Sequence, residues 1–161
     1  MEAPIQLPGT TDRRALHAAL LPQVRALIEG ETDMIAAMAN VAAAIHGAFQ
    51  WHWVGFYRVI GNELVLGPFQ GPIACVRIAL GKGVCGTAWK EDRVLVVPDV
   101  DLFPGHIACS ALSRSEIVVP IHDRSGRVFA VLDIDSSALD DFGTADVEGL
   151  MGIRHLMEQL P

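Results

Sequence analysis

The stretch SEIVVPIHDRSGRVFAVLDID, residues 115–135, decides the fold. It contains two β-rich runs, 115–121 and 127–135, with a turn at Asp123 to Gly126 between them. Two such runs on either side of a short polar turn are typical of an antiparallel hairpin. Alternation in the second run predicts two opposite faces, formed by Val128, Ala130, Leu132 and Ile134 on one side and Phe129, Val131, Asp133 and Asp135 on the other.

Two carboxylates end this otherwise apolar second run on one face. Asp133 and Asp135 are two residues apart and therefore lie only about 7 Å from each other. Glu116, which begins the neighbouring run, can meet them across the strand pairing. A single Asp here is typical of a solvated strand end, whereas three acids beside a cysteine loop also indicate a functional cluster, and both interpretations stay open. Like charges held close and partly dry raise a carboxyl pKa, so that the acid can donate a proton near neutral pH.

Outside this hairpin, the chain predicts more strands. Residues 52–60 and 63–69 are β-rich and meet at Gly61-Asn62, a pair suited to a tight turn. Short strands follow near 76–80 and 94–98. With the hairpin already described, the chain therefore holds about six strands.

Helices are predicted at both ends. Apolar residues recur at helical spacing over 16–28, where Pro22 is expected to kink or split the helix. Thr32 and Asp33 can cap a second helix, and Thr144 begins a closing one. The apolar side of the second helix is expected to include Ile35, Met38, Val41, Ala42 and Ile45. Terminal helices around about six strands predict an α+β fold, a single antiparallel sheet with the N- and C-terminal helices packed on one face.

Length and charge narrow the class of protein. The 161 residues without repeat or linker predict a single domain over 1–161, in which 1–14 form a loose N-terminal segment. A net charge of −7 argues against nucleic-acid partners, which require a surplus of Lys and Arg. No apolar run reaches the roughly 18 residues that a membrane span needs, and the N-terminus has no signal-peptide pattern. We therefore expect a cytoplasmic protein with no membrane partner.

Three cysteines are the strongest chemical signal. An odd number does not suit a secreted disulfide framework, and the spacings match no close-paired zinc signature. Cys109 follows His106 in the loop FPGHIACS, and Cys85 lies near the start of a predicted helix, 84–90, whose dipole favours a thiolate. Cys75 lies just before a strand. Each cysteine can also be a buried small hydrophobe, and spacing alone does not rank the three.

Aromatic residues follow the start of the first strand. Trp51, Trp53 and Tyr57 are expected on one face with Gly55. Packing within the sheet is the ordinary role of such residues. A ligand wall is the competing interpretation, because Trp and Tyr offer flat apolar surface with one polar group.

Together these segments resemble the free methionine-(R)-sulfoxide reductases, which are built on a GAF domain. The resemblance covers nearly the whole chain from residue 15 onward. Generic GAF domains share the Gly-rich turn and the terminal apolar strand, but not three cysteines in these contexts. The densest segments are WVGFY (53–57), LVLGPFQGPIACVRI (64–78), GKGVCGTA (81–88), FPGHIAC (103–109), SEIVVPI (115–121) and LDIDS (132–136).

Residue roles follow from this resemblance. It implies that Cys109 attacks the substrate, that Cys75 forms a disulfide with it, and that Cys85 is an auxiliary thiol. Ser110 departs from the family, whose members usually carry Asp at that position. The implied pocket consists of the acids Glu116, Asp133 and Asp135 and the aromatic wall Trp53 and Tyr57.

An activity is also implied by the resemblance: free methionine (R)-sulfoxide is reduced, which repairs oxidised methionine. A cysteine sulfenic acid forms and condenses to a disulfide, which a thioredoxin-like dithiol reduces. No metal or organic cofactor is required, and GAF domains suggest a homodimer through the terminal helices. The thiol that resolves first and the acid that gives the proton are left open. The alternatives are a non-catalytic GAF sensor of small molecules and a redox sensor whose disulfide is the signal.

Overall fold

A computed structural model describes residues 4–107 and 110–161 of the chain. The described part contains six strands, four α-helices and one turn of 3-10 helix. The helices are α1 (Arg13–Ile28), α2 (Met34–Phe49), α3 (Gly83–Glu91) and α4 (Thr144–Glu158). The strands are β1 (Trp53–Ile60), β2 (Glu63–Gln70), β3 (Arg77–Ala79), β4 (Leu95–Val97), β5 (Ser115–His122) and β6 (Val128–Ser136).

All six strands form one antiparallel sheet in the order β3-β2-β1-β6-β5-β4. The helices α1, α2 and α4 form a large apolar core with one face of this sheet. The short helix α3 packs on the opposite face, above β5 and β6. The predicted α+β fold with terminal helices on one face is confirmed.

One residue in β6 breaks the predicted alternation. Ile121 pairs with Ala130 and His122 pairs with Val128, so Phe129 has no partner and forms a bulge. An extra residue reverses the two faces on one side of the bulge. Phe129 therefore packs on the helix side and Val128 on the α3 side, opposite to the prediction, while 130–135 keep their predicted faces.

Pro22 does not split the first helix, so the expected break is wrong, and the expected kink stays a prediction. The helix α1 runs unbroken from Arg13 to Ile28 with Pro22 inside it. Proline in a helix interior costs about 3 kcal/mol. Leu20 and Val24, on either side of the proline, are fully buried, and their packing in the core offsets this cost.

In the N-terminal half, the structure differs from the expectations for Ile35 and for the N-terminal segment. Asp33 caps α2 as predicted, because its carboxylate accepts hydrogen bonds from the backbone N–H groups of Ile35 and Ala36. Ile35 itself is exposed, since it lies in the first turn, before the helix meets the sheet. In the segment predicted to be loose, Ile5 and Leu7 pack against the core.

An ion-pair network joins α1 to α4. Arg13 lies 2.6 Å from Asp141 and 3.2 Å from Asp146, and His17 Nε2 lies 3.0 Å from Asp146 Oδ1. His17 and Asp146 are buried. Burial alone raises the pKa of Asp146, but hydrogen bonds from His17 and from the Gly143 N–H, with the Arg13 charge, outweigh it and hold this pKa below its ordinary value.

We expect Asp146→Asn to lower the free energy of unfolding by about 3 kcal/mol at pH 7, because it removes one partner of a buried pair. The lowered pKa means that the stabilisation from Asp146 is present above about pH 4 and is lost as the pH falls through the folded-state value. Denaturant unfolding at pH 7 and at low pH measures both effects. Glu148→Gln is the matched control, because its exposed pair with Arg14 contributes at most about 1 kcal/mol. Equal losses in the two variants would contradict the prediction.

Candidate active site

Three acids converge on the sheet face that α3 covers. Glu116 on β5 pairs with Asp135 on β6, and Asp133 on β6 lies opposite Val118 and Gly55 of the flanking strands. Strand pairing thus places the three predicted carboxylates in one patch, which lines a pocket beneath α3. They are not a solvated strand end, because Glu116 and Asp133 are each only 6% exposed.

Burial and mutual repulsion govern these carboxyl groups. Burial raises the pKa of Asp133 to about 6, although its hydrogen bonds with Cys85 and Glu116 act in the opposite direction. Burial first, and then repulsion from Asp133 and Asp135, raise the pKa of Glu116 well above its ordinary range. Burial and Asp133 likewise raise the pKa of Asp135 well above its ordinary range, while a hydrogen bond with Ser113 partly offsets the rise. The cluster therefore holds protonated carboxylic acid near neutral pH.

Cys85 faces these acids from the third position of α3. Its thiol is free and buried, and Sγ donates to Oε1 of Glu116 at 3.8 Å. Burial, followed by the negative charges of Asp133 and Glu116, raises the pKa of Cys85 well above its usual value. The expectation that the helix dipole makes Cys85 a thiolate is wrong, because the dry acidic surroundings outweigh the dipole.

Of the other two cysteines, only Cys75 lies within the described residues. Cys75 precedes β3, takes part in a disulfide, and its backbone carbonyl accepts a hydrogen bond of 3.0 Å from the Tyr57 hydroxyl. Cys109 lies outside the described residues, so the attacking role that the resemblance implies for it stays a prediction.

An aromatic wall lines one side of the pocket. The Trp53 ring stacks on Phe69 and Tyr57, with centroids 5.3 and 5.9 Å away, and its Nε1 donates to the Pro72 carbonyl at 3.1 Å. A Cβ on Gly55 would lie 2.4 Å from the Trp53 ring, so only glycine leaves room for this stack. Trp51 is not part of the wall: it precedes β1 and packs on Phe49 in the helix-side core.

Sequence motifs did not predict Lys82 or Ser113 in this pocket, and they placed His106 and Ser110 only beside Cys109. Lys82 and His106 line the pocket, and Lys82 is exposed. Ser110, which stands where the family usually has Asp, also lines the pocket. Its hydroxyl lies 3.0 Å from His52 Nε2. The Lys82 position was detectable in the sequence, because it immediately precedes α3 and its cysteine.

No helix in the described ranges, 4–107 and 110–161, is long and apolar enough to cross a membrane.

The family profile that matches residues 33–159 is that of the GAF domain.

Relatives narrow the family further. The chain is 44% identical over 150 residues to free methionine-R-sulfoxide reductase of Escherichia coli, covering 92% of this chain and 88% of that one. It is 54% identical over 140 residues to GAF domain-containing protein A of Dictyostelium discoideum, covering 86% and 88% of the two chains. The X-ray structure of free methionine-R-sulfoxide reductase from Neisseria meningitidis, in complex with its substrate, superposes with a TM-score of 0.94 at 48% identity, covering 99% and 95%. The chain belongs to the GAF-domain family of free methionine-R-sulfoxide reductases.

Proposed function

We propose that this protein reduces free methionine (R)-sulfoxide to methionine at the pocket between α3 and the sheet. The observation that carries the proposal is the convergence of three acids and an aromatic wall in one pocket. The Tyr57 hydroxyl of that wall donates a hydrogen bond to the backbone carbonyl of Cys75, a disulfide-bonded cysteine. The relatives named as reductases support the same reaction.

Charge and shape of the pocket explain the choice of a free amino acid. Its three acids attract a cation, and the ammonium of an unblocked amino acid supplies one. The S-methyl group fits against the flat Trp53 ring, which its stacking partners hold in place. A residue within a peptide lacks the ammonium and therefore cannot make the ion pair that this acidic pocket offers.

Sulfoxide reduction needs a proton on the departing oxygen. The raised pKa values of Glu116 and Asp135 keep a carboxylic acid available for this near neutral pH, and we assign the donor to this pair. Asp133 then binds the ammonium. Protonation of the oxygen makes attack on sulfur by a thiolate possible.

Two cysteines carry the thiol steps in our proposal. The Cys109 thiolate attacks the substrate sulfur, the protonated oxygen passes to Cys109 as a sulfenic acid, and methionine leaves. The Cys75 thiol then condenses with the sulfenic acid, which forms a disulfide and releases water. Cys75 as the resolving thiol is supported by its disulfide, and an auxiliary role for Cys85 is supported by its protonated state.

The next turnover requires a dithiol. We propose that a thioredoxin-like protein reduces the disulfide, and that the protein works in the cytoplasm, where thiols are kept reduced. The single domain over 1–161 and the homodimer through the terminal helices also stay predictions.

An NADPH-coupled thioredoxin assay tests the proposed function. We expect turnover of free methionine (R)-sulfoxide, with far slower turnover of the (S)-epimer and of methionine sulfoxide blocked at both ends. Comparable rates on the blocked compound would reject the enclosed acidic pocket, and a preference for the (S)-epimer would reject the assigned stereochemistry. Binding without turnover would instead favour a sensor.

A further inference from the structure

We propose that Cys85, Glu116 and Asp133 form a binding site for a soft divalent cation, with zinc as the matching ion. Zinc bound there would occupy the acids of the pocket and block the substrate. The binding site is argued from the geometry alone, whereas the inhibition rests on the proposed function.

The three donors already stand near the spacing that zinc requires. The Cys85 Sγ and one oxygen from each carboxylate all lie within 4.8 Å of one another, and the Sγ lies 3.8 Å from Glu116 Oε1. Zinc bonds of about 2.3 Å to sulfur and about 2.0 Å to oxygen, at a tetrahedral angle, place those two donors about 3.5 Å apart. For this pair, a shift of a few tenths of an ångström matches the zinc geometry, and the Asp133 oxygen lies within 4.8 Å of both donors.

The surroundings hold the donors in place, and one carboxylate oxygen among them has no hydrogen-bond partner. Cys85, Glu116 and Asp133 come from α3, β5 and β6, which pack on one another, and all three side chains are buried. Asp133 Oδ1 is buried without a hydrogen-bond partner. An unsatisfied carboxylate oxygen inside a rigid cluster is a ready ligand, because its desolvation has already been offset by folding.

Charge balance also favours a cation. The pocket contains Asp135 in addition to the two acids of the proposed site, and the basic residues among its described lining are Lys82, which is exposed, and His106. No buried Lys or Arg among the described lining residues neutralises the cluster. A bound cation would neutralise the cluster.

The donor set selects the metal. One thiolate with two carboxylates suits zinc or cobalt, whereas magnesium and calcium prefer oxygen donors throughout. Three protein donors leave the fourth position of a tetrahedral ion open toward the pocket. In the proposed function the substrate needs Asp133 for its ammonium and Glu116 for the proton on its oxygen, so zinc and substrate exclude each other.

Cobalt and zinc titrations test the site on the tag-free oxidised protein, in which Cys75 is held in its disulfide. We expect one cobalt per chain with a thiolate-to-cobalt charge-transfer band, and displacement of cobalt by zinc. Cys85→Ser should abolish the band, and Cys85→Ser and Glu116→Gln should each weaken zinc binding by about tenfold or more. Glu148→Gln, which removes an exposed acid on α4 outside the pocket, should keep the band and the affinity.

Failure of the site and failure of the proposed function are distinguishable. Absence of the band in the wild type, or unchanged zinc affinity in a folded Cys85→Ser protein, overturns the metal site whatever the enzyme does. If Cys85→Ser does not fold, as judged by circular dichroism, Glu116→Gln gives the same test on zinc affinity. In the assay, zinc should raise KM for the sulfoxide at unchanged kcat and a chelator should reverse it. Pure loss of kcat would overturn the competition.

Discussion

Cys109→Ser is expected to release no methionine, even in a single turnover. The proposed reaction begins with thiolate attack on the substrate sulfur. Burial, followed by the charges of Asp133 and Glu116, raises the pKa of Cys85, the nearby free thiol, and keeps it protonated. A serine hydroxyl does not replace the thiolate. The measurement is methionine released per enzyme in a quench without reductant, with mass spectrometry of the protein to identify any disulfide.

Cys75→Ser and Cys85→Ser are the matched controls. Removing Cys75 should leave the first equivalent of methionine intact, because resolution follows its release, while steady-state turnover with thioredoxin falls. Cys85→Ser should have the smallest effect of the three. A full equivalent from Cys109→Ser, together with none from Cys85→Ser, would transfer the nucleophile to α3 and reverse the ranking.

Neutralising the proton donors should give the second large effect. We expect Glu116→Gln or Asp135→Asn to lower turnover by about 10²-fold or more, the usual scale for losing a general acid. Asp133→Asn should mainly raise KM, because we assign Asp133 to the ammonium. Steady-state kinetics across pH separates these cases, and Glu63→Gln, which removes an exposed acid on β2, is the control. Unchanged kcat/KM in all three pocket variants would reject the catalytic cluster.

Stability provides a readout that distinguishes a lost acid from a damaged fold. The pKa of Asp133 rises from 3.8 to about 6 on folding, so the folded state binds this proton more tightly than the unfolded state does. Stability is therefore lost as the pH rises through this window, and the cost persists above it. Asp133→Asn should raise the unfolding free energy at pH 8 by about 1–3 kcal/mol, with little gain at pH 4. A lower Tm at pH 8 than in the wild type would contradict this.

The acid cluster was accessible from the sequence because strand alternation is local. Two acids at positions 133 and 135 must share a face of β6, and Glu116 at the start of the preceding run must lie near them once the hairpin closes. The same local rule placed Trp53 and Tyr57 together on β1. Alternation failed at Phe129, because a bulge depends on how the partner strand is paired.

Tertiary packing decided the protonation of the thiol and carboxyl groups whose positions were predictable from the sequence. The short helix containing Cys85 was predictable, and its dipole favoured a thiolate, but the pKa of Cys85 rises because distant segments bury it against Glu116 and Asp133. Pro22 stays inside α1, and Trp51 joins the helix-side core, for the same kind of reason. Periodicity reports which face a side chain occupies. The free energy of a charge on that side chain depends on two effects of residues far away in the chain. These residues exclude solvent from the charge, and they bring other charges near it.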